Sequence, residues 1–133
     1  MRRRIWLGLC VATLTSGCLG RIGPPKKTIA WLRLRNNRDE PHTLDVAIER
    51  NDEEVFGETY RLGTTADQAT VRVDDPVETR GRYSVDIDTG TQVAHLHPSE
   101  FADLDISEPC VGIEYTLHEA GTTGFQFEPV PEC

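Results

Sequence analysis

The sequence predicts an all-β domain, a small antiparallel β-sandwich of seven to eight short strands. Three observations carry this. Beyond residue 28 the apolar residues alternate with polar ones in short runs, the period of half-buried strands. Turn signals interrupt the runs about every 8–12 residues, the spacing of sandwich strands. No stretch of that region has a helical period, and no internal repeat is present.

The strands follow in order. Residues 28–35 alternate with Ala30, Leu32 and Leu34 on one face and Ile29 and Trp31 on the other, so this strand is expected to bury both sides. After a polar loop at 36–41, residues 42–50 point Leu44, Val46 and Ile48 inward. Asn51-Asp52 is a two-residue hairpin turn, since both types tolerate positive φ. Residues 55–62 return with Val55, Phe56, Tyr60 and Leu62, and residues 70–74 supply Val71 and Val73. Residues 81–88 carry Tyr83, Val85 and Ile87, then Thr89-Gly90 turns into 91–97. The longest irregular stretch, 98–109, has room for one helical turn at 99–104. Residues 110–118 alternate through Val111, Ile113, Tyr115 and Leu117. A turn at 120–124 leads to Phe125 and Phe127, and the last strand is expected to stop near Glu128, because Pro129 and Pro131 cannot donate to a ladder.

The N-terminus is an address. Arg2, Arg3 and Arg4 form a positive segment, residues 5–16 are apolar, and small residues follow, the three-part pattern of an export signal. A dozen apolar residues fall short of the roughly 20 that span a bilayer as a helix. Ser16, Gly17 and Cys18 resemble the signal of prokaryotic lipoproteins, with Thr15 where Leu is usual. The resemblance implies a signal peptide at 1–17, cleavage before Cys18, a lipid on its sulfur and anchorage to the outer face of the cell membrane. Residues 18–27 then form a short tether, and 28–133 the domain. Arg3-Arg4-Ile5-Trp6-Leu7 also looks like a twin-arginine motif; it lacks the usual flanking polar residue and Lys, so Sec export stays open.

Cleavage would remove three of the 14 bases and none of the 22 acids, leaving 11 bases against 22 acids, a net charge of −11. That balance argues against nucleic acid or an anionic lipid surface as partner. The only lysines are Lys26 and Lys27. Acid-rich, Lys-poor chains look like those of salt-loving archaea, whose surface carboxylates repel less when salt screens them. The run from Asn36 through Asp39-Glu40-Pro41-His42 to Val46, then Glu49-Arg50 and Val55-Phe56, with Gly81-Arg82-Tyr83-Ser84-Val85, is similar to haloarchaeal surface lipoproteins with an immunoglobulin-like or fibronectin-like sandwich. What this implies is an envelope domain, with no functional residues carried over. With no catalytic motif in the chain, the expected function is a non-enzymatic binding or structural module with an unknown envelope protein partner and no cofactor, and the alternative is an envelope domain that binds copper, zinc or calcium. The loops at 36–41 and 98–109 are the first places to seek binding.

His95 and His97 lie two apart in a strand, so both imidazoles point one way and could share a metal if a carboxylate joined them. Asp86 and Asp88 likewise offer oxygens to calcium beside Thr89-Gly90, and Asp103 and Asp105 repeat the spacing. The plainer expectation is a solvated face, with Ala94 and Leu96 turned to the core and no metal bound. A blue-copper site needs an axial Met as a rule, and the only Met is Met1. No Gly-x-Ser-x-Gly or phosphate loop marks an enzyme.

Cys10 leaves with the signal and Cys18 takes the lipid, so Cys110 and Cys133 are expected to pair as a disulfide. Setting Tyr115 opposite Phe127 and Leu117 opposite Phe125 keeps the apolar faces together, with paired positions summing to 242 and Cys133 one place past strict register.

Overall fold

The structure, a computed structural model, describes residues 26–103 and 106–133. The signal segment, Cys18 and most of the tether lie outside the described residues, as do Leu104 and Asp105. Eight strands form: β1 (Thr28–Asn36), β2 (His42–Arg50), β3 (Glu53–Leu62), β4 (Thr70–Asp74), β5 (Tyr83–Asp88), β6 (Val93–Leu96), β7 (Cys110–Leu117) and β8 (Thr123–Val130), with a 3-10 turn at Pro98–Asp103. They make two four-stranded sheets, β4-β1-β7-β8 and β3-β2-β5-β6.

One pairing is parallel, between β1 and β7. A parallel neighbour needs a long connection, and everything from β2 to β6 supplies it. The core lies between the sheets. Ile29, Leu32 and Leu34 of β1 and Val111, Ile113, Tyr115 and Leu117 of β7 meet Leu44, Val46 and Ile48 of β2 and Tyr83, Val85 and Ile87 of β5. Each fully buried aliphatic side chain contributes roughly 1.5–3 kcal/mol of transfer free energy.

Three expectations are corrected. Ile29 shares the core face with Leu32 and Leu34, whereas Ala30 and Trp31 lie on the outer face with Cys110. A bulge between Ile29 and Trp31 against β7 adds one residue, and one residue reverses every side chain beyond it. The β7–β8 register pairs Tyr115 with Phe125 and Ile113 with Phe127, so paired positions sum to 240. Both registers keep the apolar faces together; a loop over 118–122, closed by His118 N–H donating to Thr122 O at 2.9 Å, selects this one. Finally, β8 does not stop at Glu128: it runs to Val130, with Pro129 opposite Val111. It is an edge strand, where a proline is tolerated because its missing N–H can face solvent.

Asn51 and Asp52 take positive φ as the β2–β3 turn requires. A bulge in the same hairpin, between Ile48 and Glu49, leaves Val55 exposed while Phe56 packs on the core.

The registers sort the loops to two ends. The lower end, where β1 begins, holds Lys26, Lys27, the 51–52 turn, residues 75–82, residues 97–103 and 106–109, and the cysteine pair. The upper end holds loops 37–41, 63–69, 89–92 and 118–122. The two loops singled out for binding are therefore at opposite ends. Lys27, counted above with the tether, is buried: its backbone exchanges hydrogen bonds with Gly81 at 2.9 and 3.0 Å, and its Nζ donates to the carbonyls of Ile106 at 2.8 Å and Glu108 at 2.6 Å.

Candidate functional site

Asn36 organises the upper end. It closes β1 with only 3% of its surface exposed. Its Nδ2 donates to Glu40 O at 2.9 Å and Gly63 O at 3.0 Å, and its Oδ1 accepts from Arg38 N–H at 3.0 Å. Arg38 reaches on: Nε donates to His118 O at 3.1 Å and Nη2 to Thr122 O at 3.2 Å. Two adjacent side chains thus fix loops 37–41, 63–69 and 118–122 to one another. Gln92 Nε2 adds the fourth loop through Thr123 Oγ1 at 3.3 Å. Loops held to one another by several hydrogen bonds, most of them part-buried, keep one shape, which lowers the ordering cost of binding.

The outer face of the β3-β2-β5-β6 sheet brings three candidate metal residues together. Asp86 and His95 are cross-strand partners, and Asp86 Oδ1 hydrogen-bonds His95 Nδ1. His95 Nε2 stands 3.1 Å from His97 Nδ1, and the rings meet edge to face. His97 N–H donates to Glu100 Oε2 at 2.5 Å. In the tautomer with the proton on Nδ1, toward Asp86, His95 Nε2 accepts from His97 Nδ1–H. The two nitrogens stand close to the spacing, about 3.3 Å, of two ligands on one tetrahedral zinc. Among the described residues no group of three or more His, Cys, Asp or Glu side chains is disposed to hold a metal ion. Asp86 stands behind His95, on the nitrogen a metal would leave to its hydrogen bond. Ala94 is half-buried and Leu96 buried, while both histidines are exposed. Asp88 is apart from this group: its Oδ1 accepts from Gly90 N–H at 2.7 Å and caps the turn.

The opposite outer face carries an arrangement that sequence reasoning missed. Trp31 lies over Gly112, with the Arg33 and Arg72 guanidiniums 4.9 and 5.0 Å from its ring. Glu114 is buried and held by Arg33, whose Nε donates at 2.7 Å, and by Arg35 at 3.6 Å. The alternation Trp31, Arg33, Arg35, which puts all three on one strand face, is the signal that could have revealed it.

Cys110 and Cys133 are joined by a disulfide, with Cα atoms 6.0 Å apart. Cys18 lies outside the described residues. Comparisons of the chain with protein families, with curated proteins and with solved structures found no match.

Proposed function

We propose that the chain is a non-enzymatic binding module of the haloarchaeal surface-lipoprotein type, immunoglobulin-like in fold, exported and held by lipid on Cys18 to the outer face of the cell membrane. The observation that carries the reading is the Asn36–Arg38 network. It preorganises three loops at the upper end, opposite the end where the tether would enter at Lys26. A lipid-anchored domain would so present these tied loops away from the membrane, toward an envelope protein partner. The acidic composition and the Ser16-Gly17-Cys18 signal support the cellular setting. The test is capture from native membranes with the lipidated protein and with an Asp39→Lys/Glu40→Lys variant of the upper loops. Stoichiometric capture that the variant loses is expected. Capture indifferent to the loops, or an unlipidated Cys18 in the mass spectrum of the membrane form, overturns the reading.

A second reading is a transition-metal-binding envelope domain. The 3.1 Å approach of the His95 and His97 nitrogens, with Asp86 orienting His95, favours copper or zinc over calcium. Titration with each ion, repeated on His95→Ala, decides it: a single site lost on substitution supports the reading, and equal weak uptake by both proteins removes it.

A further inference from the structure

We infer that two copies of this chain share one zinc ion, each copy giving it His95 and His97. The inference rests on the transition-metal reading and names the partner that would complete that site. One chain presents two ligands only: His95 Nε2 and His97 Nδ1, 3.1 Å apart on exposed residues. Among the described residues no third His, Cys, Asp or Glu side chain is disposed to join them. A closed tetrahedral zinc site takes four ligands. A two-fold axis through the ion turns two nitrogens into four. The support for His95 is already built. With its proton on Nδ1, toward its cross-strand partner Asp86, His95 keeps the Nε2 lone pair for an ion. His97 would carry its own proton on Nε2, so the ion replaces the hydrogen bond between the rings. The His97 backbone is held in place by its N–H, which donates to Glu100 Oε2 at 2.5 Å.

The strand that carries the pair favours a second copy as the other half. β6 is the edge of its sheet, so its flank is open to a neighbour. Val93, His95 and His97 alternate along it and share the outer face. Val93 is 61% exposed, the most exposed large hydrophobic side chain among the described residues. A two-fold interface sets one patch against itself. With the axis along the strands, imidazoles meet imidazoles at the ion and Val93 meets Val93 beside it. That axis also keeps both lower ends on one side, as two chains anchored in one membrane require. The same face is acidic: Asp45, Glu54, Glu58, Asp86 and Asp88 line the hollow beside Val93. Two such faces repel when brought together, and a dication between them offsets the repulsion. The pairing therefore depends on the metal.

The test is a zinc titration of the full chain carrying Cys18→Ser, with uptake read by calorimetry and mass by light scattering. One zinc bound for every two chains is expected, with a doubling of mass that follows the zinc and reverses in EDTA. His95→Ala and His97→Ala should each abolish the doubling. Asp86→Asn should weaken zinc binding about tenfold without abolishing it, because the bond that orients His95 is weakened. Val93→Asp should move the doubling to higher zinc concentration. One zinc per chain with no change of mass overturns the shared site and leaves the metal reading standing. No saturable uptake of zinc ends both. A zinc-driven dimer that survives both histidine substitutions places the ion elsewhere and overturns the assignment.

Discussion

Trp31 lies directly on Gly112: a Cβ built at position 112 would stand 2.1 Å from the indole ring. The two residues are partners across the parallel β1–β7 pair, on the outer face of their sheet. Gly112 gives up a side chain so that the indole can lie flat, and Arg33 and Arg72 then cover the ring. The indole is left 7% exposed although it faces away from the core.

Gly112→Ala should therefore be among the most costly single-methyl changes in the domain. The clash is with a ring held between strand and guanidiniums, so the cost is expected at about 3 kcal/mol, the upper part of the overpacking range. Chemical denaturation measures it. In a Trp31→Ala background the same change should cost about 1 kcal/mol or less, and an undiminished cost there would show that the contact is not the cause.

That contact marks where the sequence stops being readable. Period-two alternation located all eight strands, because a half-buried strand must alternate. It could not reveal the bulge at Ala30, since one extra residue leaves the local pattern plausible on both sides while exchanging Ile29 and Ala30 between faces. The β7–β8 register failed for a related reason. Sums of 240 and 242 bury the same side chains, and only the closure of the 118–122 loop separates them. His95 and His97 were legible as same-face neighbours, but Asp86 joins them through a cross-strand register that spacing alone does not encode. The Asn36 network is a long-range assembly, made from residues 27 to 84 positions apart.

Tyr115 gives a second prediction. Its hydroxyl is buried and makes no hydrogen bond of good geometry among the described residues. Burial pushes its pKa up; the Thr123 side chain, near enough to favour the phenolate without closing such a bond, and the Arg38 charge only partly oppose this. The folded state then keeps its proton where the unfolded chain, with a pKa near 10, loses it. Stability is complete below pH 10 and falls as pH rises above it. Tyr60, raised by burial and by Glu58, adds to the same fall. Tyr115→Phe should stabilise by about 1 kcal/mol at pH 7 by removing an unsatisfied group, and should flatten the alkaline loss. A Tyr115→Phe midpoint that drops at pH 7 would mean the hydroxyl is satisfied after all.

Salt should raise the thermal midpoint. With cleavage at Cys18, 22 acids face 11 bases. Moving from about 1 M to about 0.01 M salt stretches the Debye length from about 3 to about 30 Å, and the carboxylates repel again. Calorimetry across that range should show a falling midpoint at low salt; a flat response would remove the salt-adapted reading.

The disulfide should hold the C-terminus more than the sandwich. Cys110 opens β7 opposite Val130, so Cys133 lies three residues past the last pair and returns to the strand only through the bridge. The 23-residue separation implies roughly 3 kcal/mol from restricting the unfolded chain, on the loop-entropy account. Cys110→Ala/Cys133→Ala should lose that stability in urea and gain hydrogen exchange in β8, with β2 and β5 unchanged. Equal midpoints for the oxidised protein and the double variant would contradict it.

Asn36 joins stability to the proposed function. Replacement by Ala leaves the carbonyls of Glu40 and Gly63 without their side-chain donor, at a cost of about 1–2 kcal/mol for these part-buried bonds. Asn36→Asp is the sharper test because it keeps the shape. At pH 7 the introduced carboxylate would set charge against two carbonyl oxygens, so the folded state raises its pKa. The variant should then be less stable than Asn36→Ala at pH 7 and recover as pH falls through that raised value, when protonation restores one donor. Hydrogen exchange should quicken in loops 37–41 and 63–69 while β5 and β6 keep their protection. If instead exchange rises uniformly, Asn36 supports the whole sandwich and not the loops, and the case for a preorganised upper surface fails with it.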